Sequence, residues 1–389
     1  MTFEIDQVYC DNAATTPVIP EVLDEMLPFF TESFGNPSSL YMLSQDSKAA
    51  IEFSRDKVAN AIKSKSSEVV FTSGGTESNN LAIKGICFPE ISDGQNEIII
   101  SSIEHHAIIH PAEQLKKIGY KVNYCPVDQN GLIITKEFKR MINNKTKFIS
   151  IMLANNEIGS LQDIRSLVEI VKAKEKEFDK KIFFHTDAVQ AIGKVNINVS
   201  DLNVDLLSIS GHKFNAPKGI GALFVKDGIL IEPLLDGGGQ ERQNRSGTEN
   251  VPSIVGLGKA IEIAESKRED FFIHTKKLSE RFIGLIKEKI PNTVLHSSTN
   301  GLSNIVNFSI PNIQGEPILI GLDFKGIMAS SGSACSTASV EPSHVLLAKG
   351  VNEKLALGSV RLSFSISNTL EEIDYIVESI YEVCKDLKN

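Results

Sequence analysis

The 389-residue chain has no tryptophan, and its aromatic residues amount to only 7%. Its five cysteines stand at positions 10, 87, 125, 335 and 384, with no CxxC pair among them. An odd, scattered set of this kind argues against both a disulfide framework and a cysteine-based zinc site. A surplus of positive charge is also missing. Lys and Arg number 40 against 49 Asp and Glu, a net charge of −9, which disfavours binding to a nucleic-acid phosphate backbone. No apolar run approaches the ~18 residues needed to span a bilayer. The opening Met1-Thr2-Phe3-Glu4-Ile5-Asp6 has no basic stretch followed by an apolar one, so no secretory signal is expected. Internal repeats and low-complexity tracts are absent as well. These absences predict a soluble, cytoplasmic protein whose cysteines are free thiols and whose partners are neither membrane nor nucleic acid.

What is present is ordinary globular composition, 41% hydrophobic and 23% charged, in a chain long enough for two domains. Short runs rich in Val, Ile and Phe predict strands at 68–72, 97–101, 121–125, 147–153, 181–185, 205–210 and 220–225. Helical periodicity fills much of the space between them, as at 107–117 and 161–174. That alternation predicts an α/β fold, a mostly parallel sheet covered by helices, with ligands bound at the carboxyl ends of the strands. A helical pattern with few breakers from 251 to 289 reads as a connector. Beyond it, strands at 292–295, 304–310 and 360–365, with helices at 317–324 and from 369, predict a smaller α+β unit.

Three features point to one chemistry. The 68–72 strand runs into Ser73-Gly74-Gly75-Thr76 and then a helical pattern, a turn that can cradle an anion on backbone amides and the Thr76 hydroxyl. It lacks the ending of a nucleotide-triphosphate loop, and taken alone it is equally a capped helix. Asp187, in His185-Thr186-Asp187, closes a predicted strand and so faces the ligand crevice. Lys213 follows Ser210-Gly211-His212 at the end of another. Most lysines are merely solvated and most strand-end aspartates cap helices. Together, however, an amine able to form a Schiff base, a carboxylate able to keep a pyridinium protonated, and a phosphate cradle are the parts that bind pyridoxal 5′-phosphate.

On these motifs the chain resembles the cysteine desulfurases of the NifS/IscS type, class V members of the type I pyridoxal-phosphate aminotransferase fold. The resemblance spans nearly the whole chain. It includes Tyr9-Cys10-Asp11-Asn12-Ala13-Ala14-Thr15-Thr16-Pro17, Phe34-Gly35-Asn36-Pro37, Asn155-Asn156-Glu157-Ile158-Gly159, Arg245-Ser246-Gly247-Thr248 and Ser331-Gly332-Ser333-Ala334-Cys335-Ser336. It implies that Lys213 carries the cofactor and Asp187 pairs with its ring nitrogen. His105 would stack on the ring and assist proton transfer, and Gln190 would hydrogen-bond the ring oxygen. Gly75, Thr76, Ser210 and His212 would hold the phosphate, joined by Thr248 from the partner subunit of a homodimer. Asn156 and Arg361 would bind the carboxylate of L-cysteine. Gly75 stands where alanine is usual in that family, which should loosen the turn slightly and matter little.

Cys335 sits in a small, polar run that reads as a mobile loop with an exposed thiol. The resemblance implies that it takes sulfur from cysteine as a persulfide, leaving alanine, and passes it to an iron–sulfur scaffold or a tRNA-thiolation enzyme. A thiolate in that position can also ligate a growing cluster transiently. No metal site is expected otherwise, although His106 and His110 have i, i+4 spacing. The other four cysteines read as packing residues. The implied division is a large cofactor-binding domain over 15–258 and a small domain of 1–14 plus 259–389 that carries the cysteine loop at about 330–343. Two alternatives stay open: a selenocysteine lyase or aminotransferase of the same fold, and a sulfur-trafficking protein without turnover.

Overall fold

The computed structural model describes residues 7–88, 94–298, 300–331 and 341–387. Twelve strands occur among them. They are β1 (Val8–Tyr9), β2 (Val69–Thr72), β3 (Glu97–Ser101), β4 (Lys121–Cys125), β5 (Thr146–Ser150), β6 (Phe183–Asp187), β7 (Leu206–Ser210), β8 (Gly221–Val225), β9 (Val294–Leu295), β10 (Ile305–Ser309), β11 (Ile327–Met328) and β12 (Ser359–Ser363). Seven of them form one sheet in the order β2-β8-β7-β6-β5-β3-β4. The pairs from β7 to β4 are parallel, and β8 is antiparallel to both neighbours. The sheet is therefore α/β and mostly parallel, as the alternation predicts.

The central strands are buried on both faces, which explains why they read as continuous rather than alternating apolar runs. Ile98, Ile100, Phe148, Leu206 and Leu223 pack under the helices Gly75–Cys87 and His106–Leu115. Ile99, Ile149, Phe184, Leu207 and Ala222 pack on the opposite face. A fully buried side chain of this size contributes ~1.5–3 kcal/mol, so these two layers hold the sheet. The carboxyl ends of the parallel strands, and of β2 beyond β8, all open on one side.

A separate apolar cluster joins Val8 and Cys10 to Phe282, Phe308, Leu362, Ile376 and Ile380. It lies between the antiparallel sheet β12-β10-β9 and the helices Arg268–Lys289, Gly315–Asp323 and Leu370–Asp386. The N-terminal strand β1 pairs in parallel with β11, placing the first residues in this unit. Two features differ from the sequence expectation. The 251–289 pattern is two helices, Val251–Ser266 and Arg268–Lys289, because Lys267 (φ −100°, ψ 8°) leaves helical geometry. The helix Met42–Ile62 was not anticipated. Among the described residues no helix is long and apolar enough to cross a membrane.

Candidate active site

At the carboxyl side of the seven-stranded sheet lies a cavity of about 570 Å³. Gly75, Thr76, His105, Asn156, Asp187, Gln190, Ser210, His212, Lys213 and Arg361 all line it, so one space collects these expected residues from across the sequence. Thr248 is not among them. It is exposed on the loop before helix Val251–Ser266 and lines depressions with Phe34–Pro37 and with Ser73. Cys335 lies outside the described residues.

One wall is the turn after β2. Gly74 has φ +148°, and the helix Gly75–Cys87 starts at the next residue, presenting its unpaired amides to the cavity. Glu77, in that first turn, is paired with Arg245 at 3.0 Å and accepts the Ser73 amide at 2.8 Å. A methyl group at Gly75 would lie 2.8 Å from Val189 Cγ2 and 3.2 Å from Ser210 Cβ. Glycine here is thus a steric requirement set by Val189, not the small loosening expected from the sequence. His212 Nδ1 meets Thr15 Oγ1 at 3.1 Å. Burial, and then the charges of Lys213 and Lys218, push its pKa down to about 4, so it meets an anion as a neutral hydrogen-bonding group.

Asp187 ends β6 and is fixed by two donors, Asn79 Nδ2 at 2.7 Å and the Val189 amide at 2.9 Å. Asn79 escaped the sequence reading. Its only signal was a polar residue on the buried face of an apolar helix. His105 caps the helix His106–Leu115 by accepting the Ala107 amide on Nδ1 (3.0 Å), which leaves Nε2 to carry the proton of the neutral ring. Burial lowers the pKa of His105; Asp187 opposes this, and the charge of Lys213 adds to it. The adjoining Glu104 is fully buried. Its Oε1 accepts the Met152 amide at 2.6 Å, and burial followed by the charge of Asp187 raises its pKa well above the carboxylate range.

Lys213 follows β7 and donates to the carbonyls of Ala13 and Ala14, both at 2.7 Å. Those carbonyls belong to the N-terminal segment, which β12 holds in place: Asn12 Nδ2 donates to Ser363 O at 2.8 Å, and the Ala13 amide donates to Ser363 Oγ at 2.8 Å. Arg361, on β12 and 2% exposed, donates to Asn156 O (2.9 Å) and pairs with Asp11 (2.6 Å). Its Nε is buried with no hydrogen-bond partner among the described residues. A planar donor group lining the cavity suits a carboxylate ligand. Asp11 and the alanine carbonyls were not singled out from sequence, because these contacts join segments some 200 to 350 residues apart.

A sequence model of the aminotransferase class-V family matches residues 8–376. The chain belongs to this family. The cysteine desulfurase IscS of Clostridium botulinum is 49% identical over 382 residues, covering 97% of this chain and 94% of that protein. The cysteine desulfurase IscS of Methanosarcina thermophila is 50% identical over 384 residues, covering 98% and 93%. A solved NifS-like protein superposes with a TM-score of 0.91 at 37% identity, covering 97% of this chain and 99% of that one. Class V members depend on pyridoxal 5′-phosphate, and the cavity fits that group. It offers an amine on one side, a doubly anchored carboxylate at a strand end, and the N-terminus of the helix starting at Gly75.

Four described cysteines, Cys10, Cys87, Cys125 and Cys384, are buried and form no disulfide. Burial raises the Cys10 thiol and pushes Cys87 and Cys125 up to about 12, which keeps them protonated and unreactive at neutral pH. The ring of His106 lies 4.8 Å from that of His110 and 5.0 Å from that of His344. Among the described residues no group of three or more His, Cys, Asp or Glu is placed to hold a metal ion.

Proposed function

We propose that this protein is a pyridoxal-phosphate-dependent cysteine desulfurase that converts L-cysteine to L-alanine and carries the sulfur as a persulfide on Cys335. The observation that carries the reading is the convergence of Lys213, Asp187, the Gly74–Thr76 turn and Arg361 on one cavity. When bound, the cofactor supplies an aldehyde for the amine and a protonated ring able to store the electron pair released from the substrate α-carbon. Lys213 is the amine that holds it. Asp187, braced by Asn79 and the Val189 amide, keeps a proton on the ring nitrogen. Gly75, Thr76, Ser210 and His212 hold the phosphate, with Thr248 of the partner subunit in a homodimer.

Arg361 and Asn156, which both line the cavity, grip the substrate carboxylate. Lys213 and His105 move the α-proton; the lowered pKa of His105 leaves it able to accept one near neutral pH. The Cys335 thiolate then attacks the substrate Sγ. A sulfur–sulfur bond forms, the Cβ–Sγ bond breaks, and its electron pair stays with the carbon, which takes a proton to become the alanine methyl group. The persulfide passes to an acceptor, an iron–sulfur scaffold or a tRNA-thiolation enzyme, and Cys335 can ligate a nascent cluster during that transfer. The large domain is assigned to 15–258 and the small domain to 1–14 with 259–389, a division supported by the separate apolar cluster around Phe282 and Phe308. Cysteines kept as thiols rather than disulfides fit the cytoplasm.

The Cys335→Ala variant tests the assignment. It should keep the cofactor's absorbance band and form no alanine from L-cysteine; normal turnover in that variant would overturn the proposed role.

A further inference from the structure

Lys194 has been given no part so far. It is half-buried, and its Nζ donates to Gln190 O and to Gln190 Oε1, both at 3.1 Å. It lines a second cavity of about 190 Å³ together with Ile192, Ile263 and Phe271 and with the charged Glu21 and Lys267. Among the described residues it forms no ion pair with a carboxylate. Burial, and then the charge of Lys213, lower its pKa to about 7. Placing an ammonium group here without a counterion is costly, so its geometry calls for a use.

The hydrogen bonds supply one. Lys194 Nζ donates to both oxygens of Gln190, which turns the amide oxygen toward Lys194. That fixes Nε2 on the other side, where it donates to Ala13 O at 2.8 Å. Lys213 Nζ reaches the same carbonyl oxygen at 2.7 Å. Lys194, Gln190, Ala13 and Lys213 thus form one continuous chain of contacts, and the orientation of the Gln190 amide is set from behind.

We propose that Lys194 is a positioning residue for the cofactor, acting through Gln190: it locks the amide so that Nε2 stays on the side of Ala13 O and the cavity, where it would be the donor to a bound cofactor. The inference rests on the reading of the cavity as a pyridoxal-phosphate site. Without the lysine, the amide can flip and present an oxygen where a donor is needed.

The test is a double-mutant cycle read as the Kd of pyridoxal 5′-phosphate for the apoprotein. Gln190→Ala and Lys194→Met should each weaken binding about tenfold, the scale of one hydrogen bond to a charged group. The double variant should be no weaker than about fifteenfold, because both changes remove the same contact. Lys194→Arg, which keeps the donors, should return the Kd to within about threefold of the parent protein. If Lys194→Met does not fold, Lys194→Gln completes the same cycle. Independent losses multiplying to about a hundredfold, or a Lys194→Met protein within twofold of the parent, would overturn the proposal. Failure of the parent apoprotein to bind the cofactor would instead refute the underlying reading of the cavity.

Discussion

Gly75 shows how one residue's neighbours decide its identity. A methyl group there would press on Val189 Cγ2 at 2.8 Å, and a β-branched side chain has few χ1 rotamers with which to yield. Gly75→Ala is therefore expected to cost about 1–3 kcal/mol of stability, as overpacking does. The double variant Gly75→Ala/Val189→Ala should regain most of that loss, and urea unfolding of the three proteins checks it. His185 makes a second case. It is buried on β6 between Ser150 Oγ and Ser208 Oγ, each at 2.9 Å, and burial lowers its pKa to about 3. Between that value and the unfolded value of about 6.5, the unfolded chain holds the proton and the native protein does not, so this residue makes stability rise with pH across the window. His185→Gln should flatten the dependence between pH 4 and 6 by one proton's worth, about 1.4 kcal/mol per pH unit, in denaturation measured at each pH.

At the scale of elements, the short helix His344–Ala348 follows the undescribed residues 332–340 and anchors the chain after them. Its N-cap, Ser343, accepts the Leu346 amide at 3.2 Å and donates to the buried Glu157 at 2.5 Å. Burial raises the pKa of Glu157, and the Ser343 hydrogen bond opposes that shift. Ser343→Ala removes a cap and strands a buried carboxyl oxygen, so a loss of about 2 kcal/mol is expected in thermal or denaturant unfolding. Elements of this kind were the least legible in the sequence. The strands of the large sheet other than the largely exposed edge strand β4 were readable because apolar residues buried on both faces leave nearly uninterrupted apolar runs. That β8 runs against its neighbours was not, since burial pattern carries no direction. The break at Lys267 was hidden because helix-forming residues continue through it. Ser73–Thr76, Asp187 and Lys213 were legible because strand ends place them at the crevice. Asn156 and Arg361 were reached only through family resemblance, and Asn79, Asp11 and Lys194 act through contacts that sequence spacing does not encode.

The whole molecule joins two packed units through its own N-terminus. Val8 and Cys10 are buried with the small unit, whereas Ala13 and Ala14 hold Lys213 of the large one. Arg361 reaches the same cavity from β12 of the small unit and is tied to Asp11 of that connecting segment. Arg361 is thus linked to the amine of Lys213 through four residues of chain, so the placement of both groups in the cavity depends on the two units staying in register. The most direct measurement is to incubate the pyridoxal-phosphate-loaded protein with L-cysteine and a reductant, and to quantify alanine and sulfide in parallel. Equal yields of the two, with no amino-group acceptor added, are the predicted result. Pyruvate and ammonia in place of alanine, or turnover only when an amino-group acceptor is supplied, would contradict the account.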